Sequence, residues 1–454
     1  MVCTQAAVSL EKLSEVRARE EDAFLKRIPR SRALLERSKA LMPNGVAQTW
    51  FYSIYRRAPI FVSHGRGPWF EDVDGNRYVD FNLADLAFTQ AYGERAVADA
   101  VADQQVKGAH FLLPTEDSIA VAEILRSWTG LPLWQFTVSA SGANIEAIRI
   151  ARHATKREKI IVFDGHYHGH IDDTMVERGR ERGSRPSHLG FLRDTGRNTI
   201  IVPFNNLAEI EAELAHGDIA CVLTEPALTN VTLVLPEEGF HGKLRALTRR
   251  YGTLLVIDEA HTVQMAYGGL ARQYRLEPDI VTYGKGFGSG HTLGAYGLIE
   301  PLARLIEADT DLHLGDRPRL GLGGTLFGTA LAFAAVRATL ETVLTPASYA
   351  HAAKLGGRLA DGIDRTIAKH GLPWRAQRLN ARSGISLFPE NPRSGAEGMK
   401  SMDANLVDAR RVYLANRGVW DAISSAGPQA GFGHRDEDVD LYVSGFDQFL
   451  SEIV

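Results

Sequence analysis

Over the first 40 or so residues, apolar and charged positions recur at helical spacing, with Glu20, Glu21, Asp22, Lys26 and Arg27 set among apolar residues. This pattern predicts amphipathic helix. Around Pro59-Ile60-Phe61-Val62 and from Trp69 to Phe81 the period changes to two, and Asp74-Gly75-Asn76 supplies a turn. A β-hairpin is expected there. From about residue 95 the pattern becomes an alternation of strands and helices. Short β-branched runs stand at 159–163, 199–202, 219–223, 253–257 and 279–282, separated by helical stretches such as Leu207 to His216 and Gly242 to Tyr251. The runs lack polar alternation, which indicates a mainly parallel sheet covered on both faces. The tail is richer in helix: Ala330 to Thr345, Pro346 to Lys369, and a last helix opened by the acid-rich 436–440. The expected organisation is an N-terminal segment 1–75, a large α/β domain 76–329, and a smaller C-terminal domain 330–454 that the N-terminal segment joins.

Composition narrows the class. Lys and Arg number 51 against 55 Asp and Glu, a net charge of −4, which gives no general attraction to nucleic acid or an anionic membrane. Two cysteines, Cys3 and Cys221, cannot build a disulfide framework, and 220–223 reads as a buried strand. No apolar run approaches the roughly 20 residues needed to cross a bilayer, and the N-terminus has no apolar core of the signal-peptide kind. A cytoplasmic enzyme acting on small molecules is the expectation, with neither nucleic acid nor membrane as partner. The arginines at 178, 180, 182 and 185 read as a solvated or interface loop, with a lid over the site as the alternative.

In a parallel α/β sheet, ligands bind beyond the carboxyl ends of the strands. Four segments in such places carry chemistry. Asp258 ends an apolar run, where a carboxylate is costly unless it is paired; the plain alternative is a helix cap. Lys285 lies among Gly284, Gly286, Gly288 and Gly290. A phosphate-binding P-loop would follow it with Ser or Thr, and a dinucleotide fingerprint would place glycine at His291, so neither fits. What remains is a lysine that forms a Schiff base with a carbonyl, or a surface lysine in a loop. Ser139-Ala140-Ser141-Gly142-Ala143-Asn144 precedes a helical run and suits either a phosphate site or an ordinary cap. Phe163 to His170 holds His166, His168 and His170 at alternate positions. Its glycines argue for a loop, so no metal is expected, and an aromatic ring there is suited to stacking on a flat heterocycle.

Taken in chain order (Ser-rich turn, aromatic loop, strand-end Asp, lysine), the motifs resemble those of the fold-type I enzymes that use pyridoxal phosphate. The chain is most similar to the class III aminotransferases, in the branch containing glutamate-1-semialdehyde aminomutase. Tyr167-His168-Gly169-His170, Glu225-Pro226 with Gly239-Phe240, Asp258-Glu259, Gly284-Lys285 and Gly324-Thr325-Leu326-Phe327-Gly328 carry the resemblance. It implies a seven-stranded, mainly parallel sheet in the large domain and a smaller α+β domain from both chain ends. It further implies that pyridoxal 5'-phosphate is held as a Schiff base by Lys285, which then shuttles the proton, while Asp258 pairs with the pyridine nitrogen. Tyr167 would stack on the ring beside His168, and Ser139, Ala140 and Ser141 would hold the phosphate. Thr325 would reach the phosphate of the neighbouring subunit in a homodimer with shared sites. Glu225 would gate or hydrogen-bond on the substrate side.

Some positions depart from the family pattern. His261 stands where glutamine is common; the resemblance still implies a hydrogen bond from it to the cofactor's phenolic oxygen, and as a histidine it is expected to titrate near neutrality. Gln48-Thr49-Trp50-Phe51-Tyr52 occupies a place where relatives acting on carboxylated substrates tend to carry arginine, which Arg56 and Arg57 follow. Trp50 and Tyr52 therefore line either the substrate pocket or a dimer interface. Around Asn82-Leu83-Ala84-Asp85 the small-residue and tryptophan pattern of the aminomutase is missing. The expected activity is aminotransfer between an amine or amino acid donor and a keto acid or aldehyde. An intramolecular aminomutase of the glutamate-1-semialdehyde type is the alternative, and a non-catalytic binding protein on the same fold the third.

Overall fold

The computed structural model describes residues 8–54, 58–179, 182–308, 319–422 and 427–454. Cys3, Arg56, Arg57 and Arg180 lie outside them.

Fifteen strands occur among these residues. Strands β1 (Val62–Arg66), β2 (Trp69–Asp72) and β3 (Arg77–Asp80) form an antiparallel meander. The central strands are β4 (Leu133–Thr137), β5 (Lys159–Phe163), β8 (Thr199–Val202), β9 (Ile219–Thr224), β10 (Leu254–Asp258), β11 (Ile280–Tyr283) and β12 (Gly294–Leu298). A surface ribbon pairs β6 (Val176–Arg178) with β7 (Ser184–Pro186), and near the C-terminus lie β13 (Arg375–Leu379), β14 (Arg382–Ser386) and β15 (Val419–Trp420). The seven-stranded sheet has the order β4-β12-β11-β10-β9-β5-β8. Only β12 runs against its neighbours.

Alternate side chains of each central strand enter different cores. Ile161 and Phe163, Val222, and Leu255 and Ile257 join one apolar cluster. Ile160 and Val162, Cys221 and Leu223, and Val256 join the cluster on the other face. Both faces are dry, so the runs need no polar alternation. All five strands read from the sequence are present. The two that were not read are β4 and β12, and the glycines of β12 explain why. A Cβ on Gly297 would fall 2.7 Å from the Trp134 indole, and one on Gly294 would strike the Ser139 carbonyl. Glycine at these positions admits close neighbours and erases the apolar pattern.

The chain ends form a second core. Leu13 and Val16 of the helix Leu10–Arg27 pack with Leu359, Tyr413, Tyr442 and Phe449. The hairpin turn captures the next helix, Pro29–Lys39: Asp74 accepts from the Arg30 N–H at 2.6 Å and the Ser31 N–H at 2.9 Å. Contacts cross both expected domain limits. A limit at 75/76 falls inside the β2–β3 turn, and β3 pairs with β15 from the C-terminal end. The helix Ala330–Thr342 places Phe333, Val336 and Leu340 in the core of the large sheet, so a limit at 329/330 also cuts through one core. No single helix among the described residues is long and apolar enough to cross a membrane.

Candidate active site

The segments singled out above leave the carboxyl edge of the large sheet and meet there. After β4, Ser139 caps the helix Ala140–Thr155, its Oγ accepting from the Gly142 N–H at 3.2 Å. The first-turn N–H groups of Ala140 and Ser141 have no partner inside the helix, and the dipole adds positive potential at that end. Ser141 Oγ accepts from the His170 N–H at 3.1 Å, and a Cβ on Gly169 would overlap that hydroxyl. The helix start is thereby fastened to the loop after β5. A Cβ on Gly284 would lie 2.8 Å from the Ala140 nitrogen, so the lysine loop rests directly on the same turn.

Asp258, the last residue of β10, is buried. Its Oδ2 accepts from Asn144 Nδ2 at 2.8 Å and meets His168 Nδ1 at 2.9 Å, while Oδ1 accepts from the Ala260 N–H at 2.9 Å. Asn144 is itself fixed: it donates to the His168 carbonyl at 3.0 Å and accepts from Thr282 Oγ1 at 2.7 Å. A buried carboxylate with an amide, an imidazole and a backbone N–H as partners still lacks a permanent cation. A protonated pyridine nitrogen would supply one. Together with the helix start and the lysine, this donor set fits pyridoxal phosphate. The histidines do not gather as metal ligands. His166 bonds the carbonyls of Phe163 and Thr174 at 2.6 and 2.8 Å, and burial pushes it down to about 4.

Lys285 is partly buried and lies in the left-handed region at φ 53°. Its Nζ donates to Asp85 Oδ2 at 2.7 Å and to the Asp85 carbonyl at 3.1 Å. Asp85 sits in a turn where four successive non-glycine residues, Leu83 to Leu86, have φ between 51° and 64°. Such backbone costs about 1–2 kcal/mol per residue and persists only where its surroundings fix it. Here Asp80 Oδ1 accepts from the N–H groups of Asn82 and Leu83, each at 2.9 Å. At the other end Gln264 Nε2 donates to the Leu86 carbonyl at 2.6 Å and to that of Ala260 at 3.0 Å.

A third cluster joins Glu225, Thr229 and His261. Thr229 Oγ1 contacts both Glu225 Oε2 and, at 2.7 Å, His261 Nδ1, and Asn230 donates to Glu225 Oε1 at 3.0 Å. Burial raises the Glu225 carboxyl from 4.5 to about 7. His261 is pushed well below 6.5, first by burial and then by the charges of Lys285 and Arg382. The expectation that His261 titrates near neutrality is therefore corrected: it is a neutral ring. The sequence reading singled out Glu225 and His261 separately and missed Thr229, which joins them and has no local signal.

The remaining candidates are more open. Tyr167 is half-exposed and Thr325 is exposed on the turn before the helix Ala330–Thr342. Trp50 and Tyr52 lie on the short helix Thr49–Ile54, with Trp50 half-exposed. No contact among the described residues joins these two to Lys285 or Asp258. The arginine loop forms the β6–β7 ribbon and is tied to its own surface: Arg178 pairs with Glu209, Arg182 with Glu213 and Asp218, and Arg185 with Glu177.

The sequence profile of the family Aminotransferase class-III matches residues 52–376. The chain belongs to the class III aminotransferases. It is 31% identical to a glutamate-1-semialdehyde 2,1-aminomutase of Laribacter hongkongensis over 93% of this chain and all of that protein. A crystal structure of a glutamate-1-semialdehyde aminomutase from Pseudomonas aeruginosa superposes with a TM-score of 0.93 at 35% identity, covering 98% of this chain and 99% of that one. A lysine-to-alanine variant of that enzyme, in complex with PMP, matches at the same TM-score with 34% identity over 99% and 100% of the two chains. The fold is that of the type I pyridoxal-phosphate enzymes, and the cofactor of this class III protein is pyridoxal 5'-phosphate.

Proposed function

We propose that this class III enzyme moves an amino group on pyridoxal phosphate bound at the Asp258–Lys285 site. The observation that carries the reading is the convergence of three parts on one stretch of the sheet edge. These are the buried Asp258 clamped by Asn144 and His168, the helix start at Ser139 to Ser141, and Lys285 resting on that start through Gly284. The bound cofactor supplies an electron sink for the carbon that loses a proton. Asp258 orients the ring by holding its nitrogen, and Asn144 and His168 keep the carboxylate from turning. The N–H groups of Ala140 and Ser141, with the Ser139 and Ser141 hydroxyls, bind the phosphate. Lys285 would hold the cofactor through its aldehyde and, as a free amine, would carry the proton between the two carbons that flank the substrate nitrogen. Tyr167 covers a ring face, and neutral His261 with Thr229 and Glu225 lines the side toward substrate. Thr325 reaches a second copy's phosphate in a homodimer, and Trp50 and Tyr52 wall the entrance.

Two forms of this chemistry compete. Nitrogen either passes from a donor to a separate acceptor or returns to its original carbon skeleton. The sequence reading put transfer between two molecules first. Relatives named aminomutase, similar over more than nine-tenths of the chain, support the intramolecular form better, and we place it first. Aminotransfer stays as the second reading because residues 48–52 carry no arginine for a substrate carboxylate.

Borohydride reduction tests the shared step: it should fix cofactor on wild-type protein and leave none on Lys285→Ala. Covalent cofactor on that variant would refute the lysine assignment. Labelled amino nitrogen then separates the forms. Retention on the original skeleton supports the aminomutase, and label in added pyruvate or 2-oxoglutarate supports the second reading. For the shared site, Thr325→Val should weaken cofactor retention without unfolding the protein.

A further inference from the structure

The helix Ala140–Thr155, whose start forms part of the cofactor site, carries a buried carboxylate that the functional reading does not use. Glu146 Oε1 accepts from the Gly323 N–H at 2.7 Å. Three residues on, Arg149 Nη1 donates to the Gly321 carbonyl at 3.2 Å, and residues at that spacing share a helix face. Between the two bonds, Leu322 packs against the apolar cluster that holds Ala143, Ala147 and Ile150 of the same helix. Burial and then the Glu146 charge push the Tyr296 phenol of β12 up, so the carboxylate also faces the sheet.

The chain is thereby fixed at 321–323. It is fixed again at Thr329, whose hydroxyl accepts from the Ala332 N–H at 3.2 Å and starts the helix Ala330–Thr342. Between these points lies one tight turn, closed by the Phe327 N–H on the Gly324 carbonyl at 3.0 Å. Thr325 and Leu326 stand exposed at its tip. The Glu146 bond therefore holds the near end of the turn that presents Thr325.

We propose that Glu146 is a positioning residue that acts in trans: by holding Gly323 it aims Thr325 at the cofactor phosphate of a second copy. This rests on the reading of Thr325 as part of a shared site. One helix then serves two cofactor sites, its own through Ser139 to Ser141 at its start and its neighbour's through Glu146 on its side. A carboxylate accepting from a backbone N–H makes a charge-assisted bond, stronger than a neutral one. Displacing a positioning group by about 1 Å is enough to weaken what it holds.

The test uses full-length protein with cofactor bound. Amide exchange across 321–327, followed by mass spectrometry, should be about tenfold faster in Glu146→Ala and near wild type in Glu146→Gln, whose amide oxygen still accepts the bond. Unchanged exchange in the Ala variant overturns the proposal. Mixed dimers of differently tagged chains are then dialysed and reduced with borohydride, which scores only a chain that keeps Lys285. In the first, Glu146→Ala is paired with Lys285→Ala, so the scored site receives its turn from a chain with Glu146 intact. In the second, one chain carries both changes and its wild-type partner is scored. Cofactor retention should match wild type in the first and fall about tenfold in the second. The opposite pattern, or no difference between the two, overturns the proposal. If Thr325→Val retains cofactor as wild type does, the shared-site reading fails and the role in trans falls with it, while the exchange result still decides whether Glu146 anchors the turn.

Discussion

Replacing Glu225 by Gln should stabilise the protein at alkaline pH and do little at acid pH. Glu225 is buried, and burial raises its carboxyl from 4.5 to about 7. A folded state with the higher value binds more protons than the unfolded chain between those limits. The stability is therefore fully present below pH 4.5 and is lost as pH rises through 7. At about 1.4 kcal/mol per pH unit, the loss is about 3 kcal/mol. Gln keeps the shape, accepts from Asn230 and donates to Thr229 Oγ1, so the contacts survive while the titration disappears. His261, buried and neutral, contributes the opposite slope, but it does so in both proteins and cancels in their difference. Urea unfolding of both proteins at pH 4.5 and pH 8.5 reads the effect. The difference between variant and wild type should favour the variant by about 3 kcal/mol more at pH 8.5. A difference independent of pH would refute the assignment of a raised Glu225 carboxyl in the folded protein.

Two further substitutions test the framework around the site, and a third tests the second core. Asn144→Ala removes the donors to Asp258 and to the His168 carbonyl and strands Thr282; about 2–4 kcal/mol should be lost in urea unfolding, with weakened cofactor retention. Gly284→Ala drives a methyl into Ala140, which should cost about 1–3 kcal/mol and lower cofactor affinity in an absorbance titration. In the second core, Arg410 Nε and Asp421 Oδ2 form a buried pair at 2.7 Å, with Tyr442 donating to Oδ1 at 2.9 Å. Asp421→Ala should cost about 3–5 kcal/mol by urea unfolding, and a joint replacement of the pair by Met and Leu should cost less than the single change.

The central strands and the segments that end them were legible because two physical facts coincide in such a sheet. A strand dry on both faces writes a continuous apolar run, and the polar residue that breaks it marks the carboxyl edge, as Asp258 and Lys285 do. The same logic failed at β12, where Gly294 and Gly297 make room for Ser139 and Trp134. Nor does any local pattern report the pairing of β3 with β15, which joins residues some 340 positions apart.

Asp85 shows what kind of signal remained unread. Leu83-Ala84-Asp85-Leu86 contains no glycine, so nothing in its residue types announces a left-handed turn. The anchors that impose it, Asp80 and Gln264, act from three residues before it and from nearly 180 residues after it. Yet this is the stretch where the chain departs from the aminomutase pattern, and the departure puts an anion beside the lysine that the pattern itself identifies. The turn at 83–86 is therefore legible only once the fold has brought Asp80 and Gln264 to its two ends.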